Sequence, residues 1–253
     1  MKKYCSEILL FCIAVTVFIS CGKDEDTPTV LTASGDIQSV LDTYRSLLGP
    51  DNGGAPGTQT GGRREINWDG VPDSLAAPNF LPHDFFNTNA GTRARGADFT
   101  TPGDGVQVSA DSINPYGALP SFGNINATYR QIFPAFSVER LFSPIGSNVV
   151  DLRFFVPGTT TPAVVQGFGA IYVDVDRQEN TAFEYFDIND KSLGTYSTPI
   201  KNEGFVFLGV LFKSPVVHRV RIEYGNSALG PNDGGSVDVS VMDDFIYGEP
   251  EQP

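Results

Sequence analysis

The pattern of apolar and polar positions divides the chain into one amphipathic helix and a long series of short strands. Within residues 36–48 the apolar side chains recur at helical spacing and form one stripe. The stripe consists of Ile37, Val40, Leu41, Tyr44, Leu47 and Leu48. From residue 64 onward, short apolar or alternating runs are separated by Gly, Pro, Asn and Asp, which is typical of strands joined by turns.

These runs predict an all-β fold, a jelly-roll-like β-sandwich of about ten strands with one N-terminal amphipathic helix. The strands are predicted near 64–71, 96–101, 105–110, 138–143, 148–157, 168–176, 181–187, 191–198, 204–212, 216–224 and 236–247, with a helical turn at 126–133. The predicted organisation is a signal peptide at 1–20, a flexible tether at 21–35, a helix and Gly/Pro-rich linker at 36–62, and a β-sandwich domain at 63–250.

Two runs indicate where their strands lie. Residues 204–212 are apolar on both alternating faces, which predicts a central strand that is covered on both sides. Residues 216–224 carry Arg219, Arg221 and Glu223 on one face and mainly apolar side chains on the other, which predicts a half-buried strand. The predicted helix is too short to be stable alone, so its stripe must pack on its own domain or on a partner protein.

The N-terminus combines Lys2 and Lys3 with a 13-residue apolar run that ends just before Cys21. This run is shorter than the roughly 20 residues of a membrane-spanning helix. It resembles a lipoprotein signal peptide that is cleaved before Cys21, so that the new N-terminal cysteine carries lipid. A plain secretory signal or a short anchor is the alternative. The acidic residues at 24–26 resemble the export signal of Bacteroidetes-type lipoproteins, and they also suit a solvated tether.

We therefore expect a bacterial cell-envelope protein, lipid-anchored to the outer membrane and exposed at the surface. Cys5 and Cys12 would leave with the signal peptide, so the mature chain would have no disulfide and its stability must come from a buried core. The net charge is −13, and removing residues 1–20 leaves 15 basic and 29 acidic residues, a net of −14. Such a charge repels nucleic acid, which we exclude as a partner.

Four segments together resemble a family of uncharacterised exported bacterial proteins. They are GRREINWDGVP at 62–72, GFGAIYVDVD at 167–176, FEYFD at 183–187 and VMDDFIYGEP at 241–250. The likeness covers about residues 36–250. More loosely, an opening strand that ends in an acidic residue and a closing strand that ends in Asp-Asp resemble lectin-like and carbohydrate-binding-module sandwiches. The resemblance implies a fold and carries no activity.

Asp243 is the first candidate for a binding site, because it alternates in phase with the apolar residues of the last strand. A carboxylate in that position is costly unless it is paired or bound to a metal. Either the strand leaves the core there and exposes Asp243 and Asp244, or Asp243 is held by an arginine or by Ca²⁺. If the first and last strands are neighbours, Asp69 or Arg64 lies nearby.

Asp174 and Asp176 form a second candidate, since both lie on one face at the end of a strand. Such a pair can bind a cation or can simply be solvated at the rim. The sequence thus predicts a structural Ca²⁺ as candidate cofactor, with ligands drawn from Asp69, Asp174, Asp176, Asp243 and Asp244.

Catalysis finds little support in the sequence, and we expect a protein that is not an enzyme. Residues 174–179 superficially resemble the catalytic strand of laminarinase-type glycosidases, but Asp stands where the nucleophile Glu would be, and Arg177 and Gln178 interrupt the apolar alternation. Only His83 and His218 are present, so a multi-histidine zinc site is impossible. We expect His218 to be a half-buried residue with its hydrogen bonds satisfied.

The long loop at 72–96 is the candidate ligand-binding segment. Its candidate contact residues are Phe80, His83, Phe85, Phe86, Arg93 and Arg95. Exposed rings would stack on sugars, whereas rings that pack the loop onto the sandwich would not. The only tryptophan, Trp68, lies in the core register and does not favour a tryptophan platform for sugars.

From these patterns we expect a non-catalytic binding module for glycan or another extracellular ligand. The alternatives are a structural or assembly lipoprotein that contacts another envelope protein, with the helix at 36–48 as contact surface, and a glycoside hydrolase.

Mass spectrometry of the protein purified from its native host checks the N-terminus. We expect residues 1–20 to be absent and Cys21 to carry acyl chains. A chain that retains residues 1–20, or whose Cys21 is unmodified, would contradict the lipoprotein interpretation.

Overall fold

The computed structural model describes residues 27–111, 114–178 and 180–253. The strands are β1 (Thr29–Ser34), β2 (Arg63–Ile66), β3 (Ala97–Thr100), β4 (Gly105–Val108), β5 (Phe142–Ile145), β6 (Val149–Phe154), β7 (Gly167–Val175), β8 (Thr181–Phe186), β9 (Ser192–Ser197), β10 (Lys201–Leu211), β11 (Arg219–Tyr224) and β12 (Val241–Gly248). The helices are α1 (Gln38–Leu48) and α2 (Tyr129–Ile132). None of the helices in these ranges is long and apolar enough to cross a membrane.

The strands form two antiparallel sheets, and the prediction of an all-β sandwich is confirmed. One sheet has the order β1-β10-β7-β12-β5-β4, with β2 also paired to β12, and the other has the order β3-β6-β11-β8-β9. The first and last strands of the predicted sandwich are indeed neighbours, because β2 pairs with β12 from Ile66 opposite Phe245 to Arg63 opposite Gly248.

The predicted faces of β10 and β11 are also confirmed. β10 lies between β1 and β7 and is apolar on both sides, with Leu208 in the core between the sheets and Phe207 under α1. β11 buries Val220 and Ile222 in that core. Its opposite face carries Arg219 and Arg221, which both pair with Asp151 of β6.

Helix α1 packs its apolar stripe on the outer face of the seven-stranded sheet. Leu41 and Tyr44 are fully buried there, against Ile171, Phe207 and Ile246 of the sheet. The Tyr44 ring contacts the Phe207 ring edge-on at 5.3 Å between centroids. The stripe therefore docks on its own domain, which is one of the two alternatives that the sequence left open.

Strand β1 corrects the prediction of a flexible tether at 21–35. Residues 29–34 pair antiparallel with β10, from Thr29 opposite Leu211 to Ser34 opposite Val206. Leu31 and Ala33 pack beside α1, while most other positions of β1 are exposed. Because an edge strand buries so little, its sequence shows no strong apolar alternation, and its composition is that of a linker.

A bulge in β12 corrects the predicted register of the last strand. In its pairing with β7, Met242 lies opposite Tyr172 and Phe245 opposite Ala170, so two residues of β12 oppose one residue of β7. This is the geometry of a β-bulge, which shifts by one residue the alternation of the side chains between the two faces of the sheet. Val241 and Phe245, which a regular strand would place on one face, therefore enter different apolar clusters.

The core between the sheets is centred on Trp68, which is fully buried as its register predicts. Its ring stacks on Phe142 at 4.2 Å between centroids and contacts Phe86, Phe99 and Phe245. The indole N–H donates to the main-chain oxygen of Asp243 at 2.8 Å. The single tryptophan thus anchors the bulge of β12 from inside the core.

A buried ion pair joins β2 to the end of β12. The Arg64 side chain is 0% exposed and that of Glu249 is 3% exposed, and two hydrogen bonds of 2.6 Å connect them. Arg64 also donates to the main-chain oxygens of Gly53, Ala55 and Ala94. Nearly every donor of the guanidinium is thereby satisfied, as a buried charge requires.

Replacing one partner of this pair tests its importance. In Arg64→Ala the Glu249 carboxylate remains buried without its counter-charge, so we expect the free energy of unfolding to fall by about 3–5 kcal/mol. Chemical denaturation followed by circular dichroism measures the loss. The double variant Arg64→Met/Glu249→Leu should lose less than Arg64→Ala, and Arg153→Ala, which removes a more exposed arginine, should lose about 1 kcal/mol or less. An Arg64→Ala protein as stable as Arg153→Ala would contradict the argument.

Candidate functional site

The bulge places Asp243 and Asp244 beside each other, and neither is exposed at the rim. Asp243 is 0% and Asp244 is 4% exposed, so of the two alternatives for this strand the one with exposed carboxylates is wrong. Asp243 accepts hydrogen bonds from the main-chain N–H of Phe136 at 2.6 Å and from the Ser137 hydroxyl at 2.7 Å. Asp244 accepts one from the Arg45 guanidinium at 3.3 Å. An arginine therefore holds Asp244, while the loop at 136–137 holds Asp243.

The two carboxyl groups share their environment and interact directly. Burial, and then the charge of Asp244, raises the pKa of Asp243 to about 8, so Asp243 holds a proton at neutral pH. Burial also raises the pKa of Asp244, against the opposing hydrogen bonds and the charge of Arg45. A proton on Asp243 relieves the repulsion between two buried carboxylates.

Asp69 lies near this pair, as the pairing of β2 with β12 implies. Burial raises the pKa of Asp69 to about 6, against the hydrogen bond that it accepts from the main-chain N–H of Arg140, and the charge of Asp244 adds to the rise. The oxygens of Asp243 are taken by Phe136 and Ser137, and one oxygen of Asp244 by Arg45. Three of the four carboxyl oxygens of the pair therefore accept from protein donors, and only Oδ1 of Asp244, which is buried with no partner among the described residues, remains for a cation.

Asp174 and Asp176 lie apart from that pair and come together with Asp233. One carboxylate oxygen from each of the three lies within 4.8 Å of the others. Burial raises the pKa of Asp174 to about 7, and the charges of Asp176, Asp233 and Asp238 add to the rise, while the hydrogen bond from the Glu203 N–H opposes it. Burial also raises the pKa of Asp233 and of Asp238. The two candidate sites of the sequence are thus also separate in the structure, and Asp233 joins the second of them.

The aromatic residues of the loop at 72–96 mostly pack inward. Phe85 is 3% and Phe86 is 6% exposed, whereas Phe80 is 45% exposed and rests against Gly105. His83 is exposed and its Nδ1 lies 2.8 Å from a carboxylate oxygen of Asp98. The interpretation that the rings fix the loop to the sandwich is therefore correct for Phe85 and Phe86.

The two arginines of this loop stand over the buried rings. The Arg93 guanidinium lies 4.4 Å from the centroid of Phe85, and that of Arg95 lies 5.9 Å from the centroid of Phe86. Arg95 also donates to the main-chain oxygen of Glu65. Within the described ranges, no acceptor takes a hydrogen bond from the Arg93 guanidinium, so its donors remain available to a ligand.

These arginines line a cleft of about 380 Å³ between the loop and the chain that follows β2. The cleft is lined by Asn67, Gly70, Phe85, Phe86, Ala90, Gly91, Thr92, Arg93 and Arg95. A second cleft of about 250 Å³ shares Asn67 and Arg95 with it and continues to Arg45, Asp51, Glu65 and Asp244. The two clefts together form one polar surface that extends from Arg93 to Asp244.

Several residues of these sites were not predicted from the sequence. Arg45 lies within the predicted helix, but the apolar stripe of that helix does not indicate that the Arg45 guanidinium pairs with Glu65 at 2.7 Å. Asp233 precedes two glycines, a pattern that indicates a turn and gives no sign of a ligand site. His218 does fulfil its expectation, since it is half-buried and its Nδ1 lies 2.8 Å from the main-chain oxygen of Ala163. Cys21 and Glu179 lie outside the described residues.

Comparisons with known proteins add no function. No family model matches the chain, and no curated protein matches it. A solved structure from Bacteroides fragilis NCTC 9343, described as a two domain protein with unknown function, is similar over 87% of this chain and 79% of its own chain. The sequence identity is 12% and the TM-score is 0.26, a similarity too low to support an argument about fold or function.

The raised pKa of Asp243 makes stability depend on pH. A carboxyl group whose pKa is higher in the folded than in the unfolded state binds its proton more tightly when folded. Its contribution is therefore full below the unfolded pKa of about 4 and is lost as pH rises through about 8. We expect the free energy of unfolding to fall less steeply with pH in Asp243→Asn than in the wild type.

Urea unfolding at several pH values between about 5 and 9 measures this difference. Asp42→Asn, which removes an exposed carboxylate from α1, is the matched control and should follow the wild type. Parallel curves for Asp243→Asn and the wild type would show that Asp243 does not hold the proton.

Proposed function

We propose that the protein is a lipid-anchored protein of the bacterial envelope whose β-sandwich is a non-catalytic binding module, with glycan as its ligand. The observation that carries the proposal is the polar cleft at the loop 85–95, where the Arg93 guanidinium has no acceptor within the described part of the chain. A concave site of about 380 Å³ falls in the size range of small-ligand sites, which is about 300–1,000 Å³.

The chemistry of the cleft favours a ligand that is rich in oxygen acceptors. Arg93 presents its planar donors above Phe85, and Asn67 adds an amide that can both donate and accept. Because Phe85 and Phe86 are almost fully buried, ring stacking contributes little to recognition. Sugar hydroxyl or carboxylate groups would therefore be recognised by hydrogen bonds from guanidinium and amide groups.

The overall charge narrows the class of glycan. With a net charge of −13 on the full chain, long polyanions are repelled at a distance. A neutral glycan, or one that carries isolated carboxylates within reach of Arg93 and Arg95, satisfies both the local and the overall electrostatics.

A structural or assembly lipoprotein is the alternative, and the helix at 36–48 was its expected contact surface. The apolar stripe of α1 is covered by its own sheet, and of that stripe only Leu47 is strongly exposed, at 50%. A partner protein would have to bind elsewhere. The glycoside hydrolase alternative rests on residues 174–179, of which Glu179 lies outside the described part of the chain. None of the described residues that line the cleft at Arg93 is acidic.

The proposal predicts a specific loss of glycan binding in Arg93→Gln. The substitution keeps a polar side chain over Phe85 but removes the charge and most of the donors. Hydrogen bonds to charged groups contribute about 1.5–3 kcal/mol, so we expect affinity to fall about tenfold or more. A glycan array identifies a retained polysaccharide, and titration calorimetry with that polysaccharide measures the dissociation constants.

Arg130→Gln is the matched control, because Arg130 is exposed on α2, away from the cleft. It should bind the polysaccharide as tightly as the wild type. Absence of retention on any polysaccharide would count against the binding module itself. If Arg93→Gln and Arg130→Gln bind the polysaccharide equally tightly, the protein is still a binding module but the cleft is not its binding site.

A further inference from the structure

We propose that the end of β7 holds a calcium ion, bound by Asp174, Asp176 and Asp233 and supported by Asp238. Asp174 is the penultimate residue of β7, Asp176 directly follows the strand, and Asp233 comes from the loop between β11 and β12. One carboxylate oxygen from each of these three lies within 4.8 Å of the others. The three side chains thus converge from two distant segments on a single point.

The stronger evidence is a set of buried oxygens that have no partner. Asp174 is 0% exposed, and its Oδ2 accepts no hydrogen bond from any residue that the structure describes. Oδ1 of Asp233 and Oδ2 of Asp238 are also buried without a partner, and Asp238 is 0% exposed. A buried, unpaired carboxylate oxygen is costly, and three of them in one region repel one another. A bound cation removes both the desolvation cost and the repulsion.

The backbone is arranged so that Asp174 presents its free oxygen. Asp174 and Glu203 both have left-handed backbone conformations, with φ of 65° and 49°. They lie where the pairing of β7 and β10 is irregular, between Lys201 and Phe205. The Glu203 N–H donates to Oδ1 of Asp174 at 2.7 Å, and Oδ2 has no partner within residues 27–111, 114–178 and 180–253. Such conformations are unfavourable for residues other than glycine and are concentrated at functional sites.

The neighbouring contacts hold the remaining acids in place without satisfying them. The Asn202 amide donates to Oδ1 of Asp176 at 2.6 Å. The main-chain N–H of Asp176 donates to Oδ1 of Asp238 at 3.3 Å, so Asp238 fixes the turn from which Asp176 projects. The segments at 174–176, 202–203 and 233–238 therefore meet around one polar centre.

The donor set identifies calcium as the ion. The site offers only carboxylate oxygens, the hard ligands that Ca²⁺ and Mg²⁺ prefer. Mg²⁺ keeps several of its waters and is usually bound through one or two carboxylates, whereas Ca²⁺ takes about six to eight oxygen ligands. Three protein carboxylates whose oxygens all lie within 4.8 Å of one another therefore favour calcium. Main-chain oxygens and water would complete its coordination.

Calcium binding can be measured on the full-length chain, purified in detergent and stripped of ions with EDTA. Calorimetric titration with calcium chloride should show one bound ion per wild-type chain. A ligand that binds only the folded state raises the melting temperature, and a hundredfold excess over the dissociation constant should raise it by about 5–10 °C. Magnesium chloride at the same concentration should give a smaller shift.

Asp174→Asn is the decisive variant, because Asn tolerates the left-handed conformation and can still accept from the Glu203 N–H. Without calcium it should be at least as stable as the wild type, and it should not respond to calcium. Asp238→Asn is a second variant, expected to weaken calcium binding, and it serves if Asp174→Asn fails to fold. Asp42→Asn, which removes an exposed charge on α1, should respond like the wild type.

Three results would overturn the proposal. The first is a wild-type chain that binds no calcium. The second is an unchanged calcium affinity in the folded Asp174→Asn and Asp238→Asn variants. The third is an equal response to magnesium, which would remove the assignment to calcium.

Discussion

The fully buried ion pair of Arg64 and Glu249 is the interaction on which the geometry of the polar cleft depends. Glu249 accepts not only from Arg64 but also from the Asn52 side chain and the Gln59 N–H, at 2.8 and 2.9 Å. Two charged groups 185 residues apart in the sequence thereby fix the loop at 49–62, which has no regular structure of its own. A buried pair contributes little net stability, but it permits only one arrangement of the segments that it joins.

The close approach of the surrounding loops shows how exact that arrangement is. A Cβ atom on Gly54 would lie 1.7 Å from the main-chain oxygen of Thr92, so only glycine fits where the two loops cross. Arg64 reaches the same loops through Gly53 and Ala94. The wall of the cleft carries Thr92, Arg93 and Arg95. The buried Arg64 thus fixes this wall through its hydrogen bonds to the main chain of Gly53 and Ala94.

The sequence allowed a good prediction of the regular elements and a poor one of the sites. The helix and the faces of β10 and β11 follow from local periodicity, because each buries an apolar set at fixed spacing. β1 could not be recognised, since an edge strand has little to bury. The bulge at Asp243 shifts the register by one residue, and no composition signal marks it. Asp233 lies far from Asp174 in sequence, and only the sheet topology brings them together.

The pairing of β1 with β10 also determines which end of the sheet lies nearer to the N-terminus. Thr29 lies opposite Leu211 at one end of the sheet, whereas Val175, next to the acidic cluster, pairs with Lys201 at the other end. Ten residues of extended strand separate these ends by about 30 Å. If Cys21 carries the lipid, the eight residues to Thr29 can reach at most about 28 Å from the bilayer. The end of the sheet with the clustered carboxylates would then lie away from the bilayer, and the end with Thr29 would lie next to it.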